Sequence, residues 1–374
     1  MKFLVSSITL SNKLSAMAKV MSTKTVQPIL SSFLFELDGE TLRITSSDGE
    51  CTQCSTLSVA TTEGNGKICL PAERLLDALR NLSEQPVGFI INEATLEVTI
   101  KYSNGKYDLV GLNADEYTKL SPLNDIEKQV QIEADMLNTA LTQSLFAVAN
   151  DELRPIMNGI YVTTKEGKFQ CAATDGHKLA RNTYKMDNQV EDVDFVLPCK
   201  AAKLLKSLTN KATTPVIISH NEREACFIIE NDTFRCRLLE GKFPNYNAVI
   251  PTENRNMATI ERDSLLSAIK RVGLFTSVAN GCIEMNFSGV SLDVSGQDID
   301  YSTSAKETLL CAYSGENLRI GFKCEYLRQI LENVTSKEIT FSMGDCSRAT
   351  IIKPVGEDDK TENLSLLMPM MLGA

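Results

Sequence analysis

Tryptophan is absent from this 374-residue chain, and histidine is nearly so, with only His177 and His220. Hydrolytic metal sites draw on clusters of His and Asp, and two distant histidines do not build one. The nearest approach is Asp175-Gly176-His177, a DxH in which the imidazole offers a ligand or a general base. It stands without a second cluster, because His220 has no carboxylate-rich surroundings. Eleven cysteines are odd in number and scattered, and the only close pair, Cys51 and Cys54, has no second CxxC to complete it. They read as reduced, structural and mostly buried, since a free cysteine behaves as a small hydrophobe. Also missing are GxxxxGK[ST], GxSxG and GxGxxG, the signatures of nucleotide and acyl chemistry. No catalytic residue, metal or cofactor is expected. No run approaches the ~20 apolar residues of a membrane helix, and the N-terminus lacks a signal peptide's apolar core, so the expectation is a soluble, cytoplasmic protein.

Acids are missing locally from a chain that is acidic overall, with a net charge of −10. Met1 to Phe35 carries Lys2, Lys13, Lys19 and Lys24 and no acid. Phe195 to Asn221 carries Lys200, Lys203, Lys206 and Lys211, again with none. Between Ser264 and Ile283 the only charges are Lys270 and Arg271. Taken singly, such lysines solvate helix faces. Taken together, on helix-like stretches, they imply one basic surface on an otherwise acidic molecule.

The chain is too long for one compact core, since cores stop growing near ~250–300 residues. Its organisation is repetitive. The stretch 154–181 reads as two alternating strands joined by a Lys-Glu-Gly turn, followed by a Thr-Asp-Gly-His corner. A fainter copy lies at 27–56: Pro28 answers Pro155 and Asp48-Gly49 answers Asp175-Gly176, both at an offset of 127. Pro71 and Pro198, each opening a helix, share that offset. Each hairpin is preceded by an amphipathic helix, one over 7–21 with Leu10, Leu14, Met17 and Met21, the other with Leu137, Leu141, Leu145 and Val148, capped by Asp135. Ala258, Ile260 and Asp263 then answer Val130, Ile132 and Asp135 at an offset of 128, ahead of helices over 263–276 and 324–334. Linkers are expected over 121–128 and 250–256, giving domains 1–121, 128–250 and 257–374.

Three such units, with the opening Met-Lys-Phe, the central ATDGH, the GKFPNY turn at 241–246 and the closing LMPMML at 367–372, resemble the bacterial DNA polymerase III beta subunit along the whole chain. The resemblance implies an α+β fold of three repeated clamp-type domains, helices inside and antiparallel sheets outside, with two subunits closing head to tail into a ring around duplex DNA. It implies no catalysis. Lys24 and Arg80 are the best positional matches to that family's DNA contacts; Lys13, Lys19, Lys200, Lys203, Lys206, Lys270 and Arg271 complete the expected inner surface. Contacts of this kind hold phosphate without reading bases.

The resemblance also implies a groove that takes short Gln/Leu/Phe-type peptides from the polymerase III alpha subunit, the clamp loader, other polymerases and repair proteins. Carried over by motif, its lining is Arg154, Met157, Thr174, Gly176, His177, Lys178, Leu179, Pro244, Val249, Tyr326, Ser347, Leu366, Met368, Pro369, Met370 and Leu372. By spacing alone, Met368 and Met370 read as core. Ala248 stands where many relatives carry arginine, and Met371 replaces a basic residue, so the groove is less basic and more apolar. Tyr107 and Leu109 on one edge are expected to meet Leu274 and Phe275 of a second copy; core packing would suit the four residues equally well.

Overall fold

A computed structural model describes residues 1–22, 27–118, 128–186 and 191–372. The expected order of elements recurs three times. The first repeat holds β1 (Lys2–Ser6), α1 (Ser7–Met17), β2 (Ser32–Asp38), β3 (Thr41–Ser47), β4 (Cys51–Ser58), β5 (Ala60–Glu63), β6 (Gly66–Pro71), α2 (Ala72–Arg80), β7 (Pro86–Asn92), β8 (Glu97–Tyr102) and β9 (Gly105–Val110). The second holds β10 (Lys128–Ile132), α3 (Ala134–Leu145), β11 (Gly159–Lys165), β12 (Lys168–Thr174), β13 (Lys178–Lys185), β14 (Val193–Pro198), α4 (Cys199–Thr209), β15 (Val216–His220), β16 (Glu224–Ile229) and β17 (Asp232–Arg237). The third holds β18 (Asn256–Glu261), α5 (Arg262–Val272), β19 (Cys282–Ser288), β20 (Ser291–Asp298), β21 (Thr303–Leu310), β22 (Ala312–Ser314), β23 (Leu318–Lys323), α6 (Cys324–Asn333), β24 (Glu338–Met343), β25 (Thr350–Pro354) and β26 (Thr361–Leu367).

Local chemistry accounts for most of these bounds. Ser6 caps α1 by accepting the Thr9 amide at 3.1 Å, and Leu10, Leu14 and Met17 bury one face at helical spacing. Glu166 and Gly167 both take positive φ (52° and 68°), the type I′ geometry that a two-residue hairpin needs between β11 and β12. Asp135 is not a cap. It sits inside the first turn of α3, as Asp263 does in α5, where a carboxylate gains from the helix dipole instead of from a cap hydrogen bond. The helix expected over 263–276 ends at Val272 and tightens into a 3-10 turn at Gly273–Phe275. Strands β22 and β23 answer no expectation from the sequence.

The strands assemble into four antiparallel sheets among the described residues. Five strands run in the order β5-β1-β7-β8-β9, and eight run β10-β15-β16-β17-β4-β3-β2-β6. Nine run β14-β11-β12-β13-β26-β25-β24-β18-β22, and four run β21-β20-β19-β23. The two large sheets are shared between neighbouring repeats. In one, β17 of the second repeat pairs with β4 of the first, Cys236 opposite Cys51. In the other, β26 of the third pairs with β13 of the second, Leu367 opposite Lys178. Strands β4 and β13 lie 127 residues apart, so the same seam is made twice. Sharing of this kind explains why the chain groups into two compact units, Met1–Asp135 with Ser207–Leu238 and Met136–Lys206 with Leu239–Ala374, and not three.

In the first repeat Phe3, Leu10, Leu14, Phe35, Leu75, Leu79 and Phe89 make one core under α1 and α2. In the third, Leu265, Ile269, Phe287, Phe322, Leu327, Ile330 and Phe341 do the same under α5 and α6. Each such side chain contributes about 1.5–3 kcal/mol by leaving water. All eleven cysteines are free thiols. Cys51 and Cys54 are three residues apart on one strand and therefore point to opposite faces, which rules them out as a pair on one ion. Burial pushes the thiols of Cys171 and Cys236 well up, as expected of structural cysteines.

Candidate functional site

The ATDGH corner joins β12 to β13 by a short network of its own. Thr174 Oγ1 donates to the Lys178 carbonyl at 2.8 Å, and Asp175 Oδ1 accepts the amides of His177 and Lys178, both at 2.8 Å. Gly176 holds φ at +90°, and a Cβ there would stand 3.3 Å from Arg154 Nη1. That close approach places the Arg154 guanidinium over the corner, where Nε also holds Asp151 at 2.8 Å. The hydrogen bond from Arg154 keeps the Asp151 carboxyl below its ordinary range. Lys178 is buried and ion-paired to Asp175.

The C-terminal tail is stitched to this corner. Leu366 lies opposite Leu179 across the β13–β26 seam, and the Met368 amide donates to the His177 carbonyl at 2.9 Å. The Met370 amide then donates to the Gly321 carbonyl at 2.8 Å, and a Cβ on Gly321 would stand 2.7 Å from Leu372 Cδ2. Tyr326 on α6 closes the group. Its ring stacks on His177 with centroids 5.9 Å apart, and Lys178 and Lys323 place their Nζ atoms 4.3 Å and 4.9 Å from its centroid. His177 is thus an exposed aromatic platform with no cluster of metal-ligating side chains around it among the described residues.

The residues carried over by motif divide into a floor and a rim. Leu179 and Leu366 belong to one buried cluster with Phe243, Tyr246 and Ile351, and Met157 is buried as well. Thr174, Tyr326, Pro369, Met370 and Leu372 are half-buried. Arg154, Gly176, His177, Pro244, Val249, Ser347 and Met368 are exposed. Met368 and Met370 are therefore not core residues. The substituted position Met371 is 83 % exposed, and Leu153, which lies outside the family motifs, is 91 % exposed beside Arg154. Phe243 and Tyr246 of the GKFPNY turn pack inward against Tyr161, whose hydroxyl burial pushes up to about 12.

The basic residues also divide. Lys19, Arg80, Lys200, Lys203 and Lys270 are exposed, Lys206 is half-buried, and Lys24 lies outside the described residues. Arg80 is held only loosely, with Ser15 Oγ at 3.5 Å and Asp77 at 4.0 Å. Lys19 reaches Ser207 Oγ at 3.1 Å. Others have their charge met within the chain. Lys13 is half-buried on Asp232 at 3.2 Å, and Lys270 meets Glu332 at 2.9 Å. Arg271 forks onto both oxygens of Glu307 at 2.7 Å and 2.6 Å, and this bond holds the Glu307 carboxyl below its usual range. That fork ties α5 to β21.

Among the strands that end their sheets, β9 and β21 stand at the repeat positions that elsewhere form a seam: β9 answers β17 and β26, and β21 answers β4 and β13. Tyr107 and Leu109 lie on β9, half-buried against the first repeat's core. Leu274 is 81 % exposed and Phe275 40 %, so neither is core. The internal repeat sharpens the contrast. Phe146 stands 128 residues before Leu274 and packs into the third repeat's core, the place for which Leu274 has no equivalent within its own chain. Edge strands are invisible to a pattern of alternating residues, because pairing depends on what lies beside a strand and not on the strand itself.

Models of the DNA polymerase III beta subunit match in chain order: its N-terminal domain over residues 1–121, its central domain over 131–245 and its C-terminal domain over 247–371. A curated beta sliding clamp from Synechococcus elongatus is 27 % identical over 376 residues, covering 97 % of each chain. Solved sliding clamps from Pseudomonas aeruginosa and Bacillus subtilis superpose with TM-scores of 0.94 and 0.93 over the whole of both chains, at 23 % and 24 % identity. At that identity the structures speak for the fold, and the three family matches speak for the lineage. With its three repeats, two shared seams and tail-built corner, the chain belongs to the DNA polymerase III beta subunit family, the beta sliding clamps.

Proposed function

We propose that this chain is a processivity clamp: two copies close head to tail around duplex DNA and tether the replicative polymerase, with no chemistry of their own. The observation that carries the reading is the repeated seam. Three repeats in a closed ring need the seam at every junction, and one chain makes it only twice, at β4–β17 and β13–β26. The strands left over, β21 and β9, are the third pair of equivalents. A heterologous contact of this kind either closes or grows into a filament, and two chains of three pseudo-equivalent repeats close naturally. Counting from the hairpin turns, the Cys51–Cys236 pairing carries over to Leu109 opposite Ser302 and Tyr107 opposite Ser304 of the second copy. Leu274 and Phe275 then cover the first repeat's core as Phe146 covers the third's.

Each repeat is taken as one domain, with bounds 1–121, 128–250 and 257–374, although the seams group the residues into two units. The acid-poor helices α1, α4 and α5 face the DNA, together with α2, which carries Arg80. Lys19, Arg80, Lys200 and Lys203 act as the principal phosphate contacts and Lys24 and Lys206 as further ones, while Lys13, Lys270 and Arg271 serve mainly within the fold. The corner at 174–178 and the tail at 366–372 form the groove for polymerase, clamp-loader and repair peptides. The protein works in the cytoplasm; no helix among the described residues is long and apolar enough to cross a membrane.

The test is retention on DNA after loading. The clamp stays on nicked circles and runs off once they are linearised. Equal retention on both forms would mean local contact, the behaviour of a protein scaffold with a basic patch, and would overturn the ring.

A further inference from the structure

Three cations stand at the corner, Arg154 beside Gly176 and Lys178 and Lys323 over the Tyr326 ring, and they are not equivalent. Arg154 is tied to Asp151 and Lys178 to Asp175, so each brings its own counter-charge. Lys323 has no carboxylate within ion-pair distance among the described residues, and its ammonium lies 4.9 Å from the Tyr326 centroid, half-exposed. Its nearest acid in sequence, Glu325, is held by Arg328 at 2.6 Å and by Gln329 at 2.8 Å. Nor is Lys323 placed for the stability of its own helix. It occupies the N-cap of α6 without making a cap hydrogen bond, at the end of the helix where positive charge is disfavoured. The exposed hydrophobic residues of the tail and of the GKFPNY segment add no charge: Met368 is 40 % exposed, Met371 83 % and Val249 58 %.

We propose that Lys323 is a specificity-determining residue of the groove: it selects a partner peptide with one carboxylate, set beside the Tyr326 ring, in an otherwise uncharged apolar sequence. The inference rests on the groove reading above and deepens it. An incoming carboxylate meets the one cation of the three whose charge is unspent, while acids elsewhere in the peptide face methionine and valine or cations already paired. The Tyr326 face fixes the ammonium's position, so the preference is confined to one place in the peptide rather than spread along it.

The test uses the full-length protein and a labelled synthetic peptide, Gln-Leu-Ala-Leu-Phe, read by fluorescence anisotropy. Aspartate is scanned through the peptide against asparagine at the same position. One position is expected to gain roughly two- to fivefold in affinity as Asp over Asn, the size of a single exposed ion pair. The gain shrinks as salt is raised. In Lys323→Met, which keeps the apolar stem over Tyr326, the Asp-over-Asn ratio at that position falls to one. A scan with no favoured position, or a gain that survives Lys323→Met, overturns the proposal. If the neutral peptide does not bind the unaltered protein, the groove reading itself is wrong and this inference falls with it.

Discussion

Gly176 illustrates how much one residue's backbone can carry. At φ +90° an L side chain is strained, and the Arg154 guanidinium leaves a Cβ only 3.3 Å. Gly176→Ala is expected to cost about 1–2 kcal/mol in the corner and to displace Arg154 from the rim. Thermal unfolding measures the first effect. Anisotropy of the neutral peptide measures the second, and an unchanged affinity would detach the corner from binding. This residue was legible in advance, because Asp-Gly at a strand end names its turn. The fate of its neighbours was not. Lys178 looks like a surface lysine in sequence, yet it is buried because Asp175, three residues back, folds under it.

At the scale of elements, helical and strand periodicity placed the apolar faces of all six described helices and most hairpins. The exceptions were β1, β5, β6, β13, β14, β22, β23 and β26, whose pairing is set by the strands beside them, as that of β22 is by β18 and that of β23 by β19. The same holds for the edges. Strand β21 reads like any other half-buried strand, and only its empty side marks it as a junction. Leu274→Asp puts a charge where Phe146 is packed in the equivalent place, and a buried unpaired charge is costly. The expected outcome is a monomer by analytical ultracentrifugation at concentrations where the unaltered chain is dimeric, with the melting of each protomer little changed. A dimer that persists would remove Leu274 from the ring contact.

For the whole molecule, the distribution of charge matters more than its sum. A net charge of −10 keeps the chain off DNA except where acids have been cleared. Replacing both Lys19 and Arg80 by Ala is expected to shorten retention on circular DNA, with the salt dependence of retention falling by about two counter-ion equivalents. The paired Lys13→Ala and Arg271→Ala are expected to leave that slope nearly unchanged, since their charge is met by Asp232 and Glu307. Retention measured across a salt series separates the two sets, and equal slopes would erase the distinction.

The sequence by itself determined the three repeats, the helix faces, the turn at Gly167 and the chemistry that is absent, because each depends on residues near one another along the chain. Periodicity and turn preference act over a few positions, and they repeat wherever those positions do. What only the tertiary structure decided is which charges are spent and which strands are shared. Lys13 finds Asp232 across 219 residues, and β13 finds β26 across nearly as many. Those pairings are set by packing between distant segments, where no local pattern in the chain records the partner.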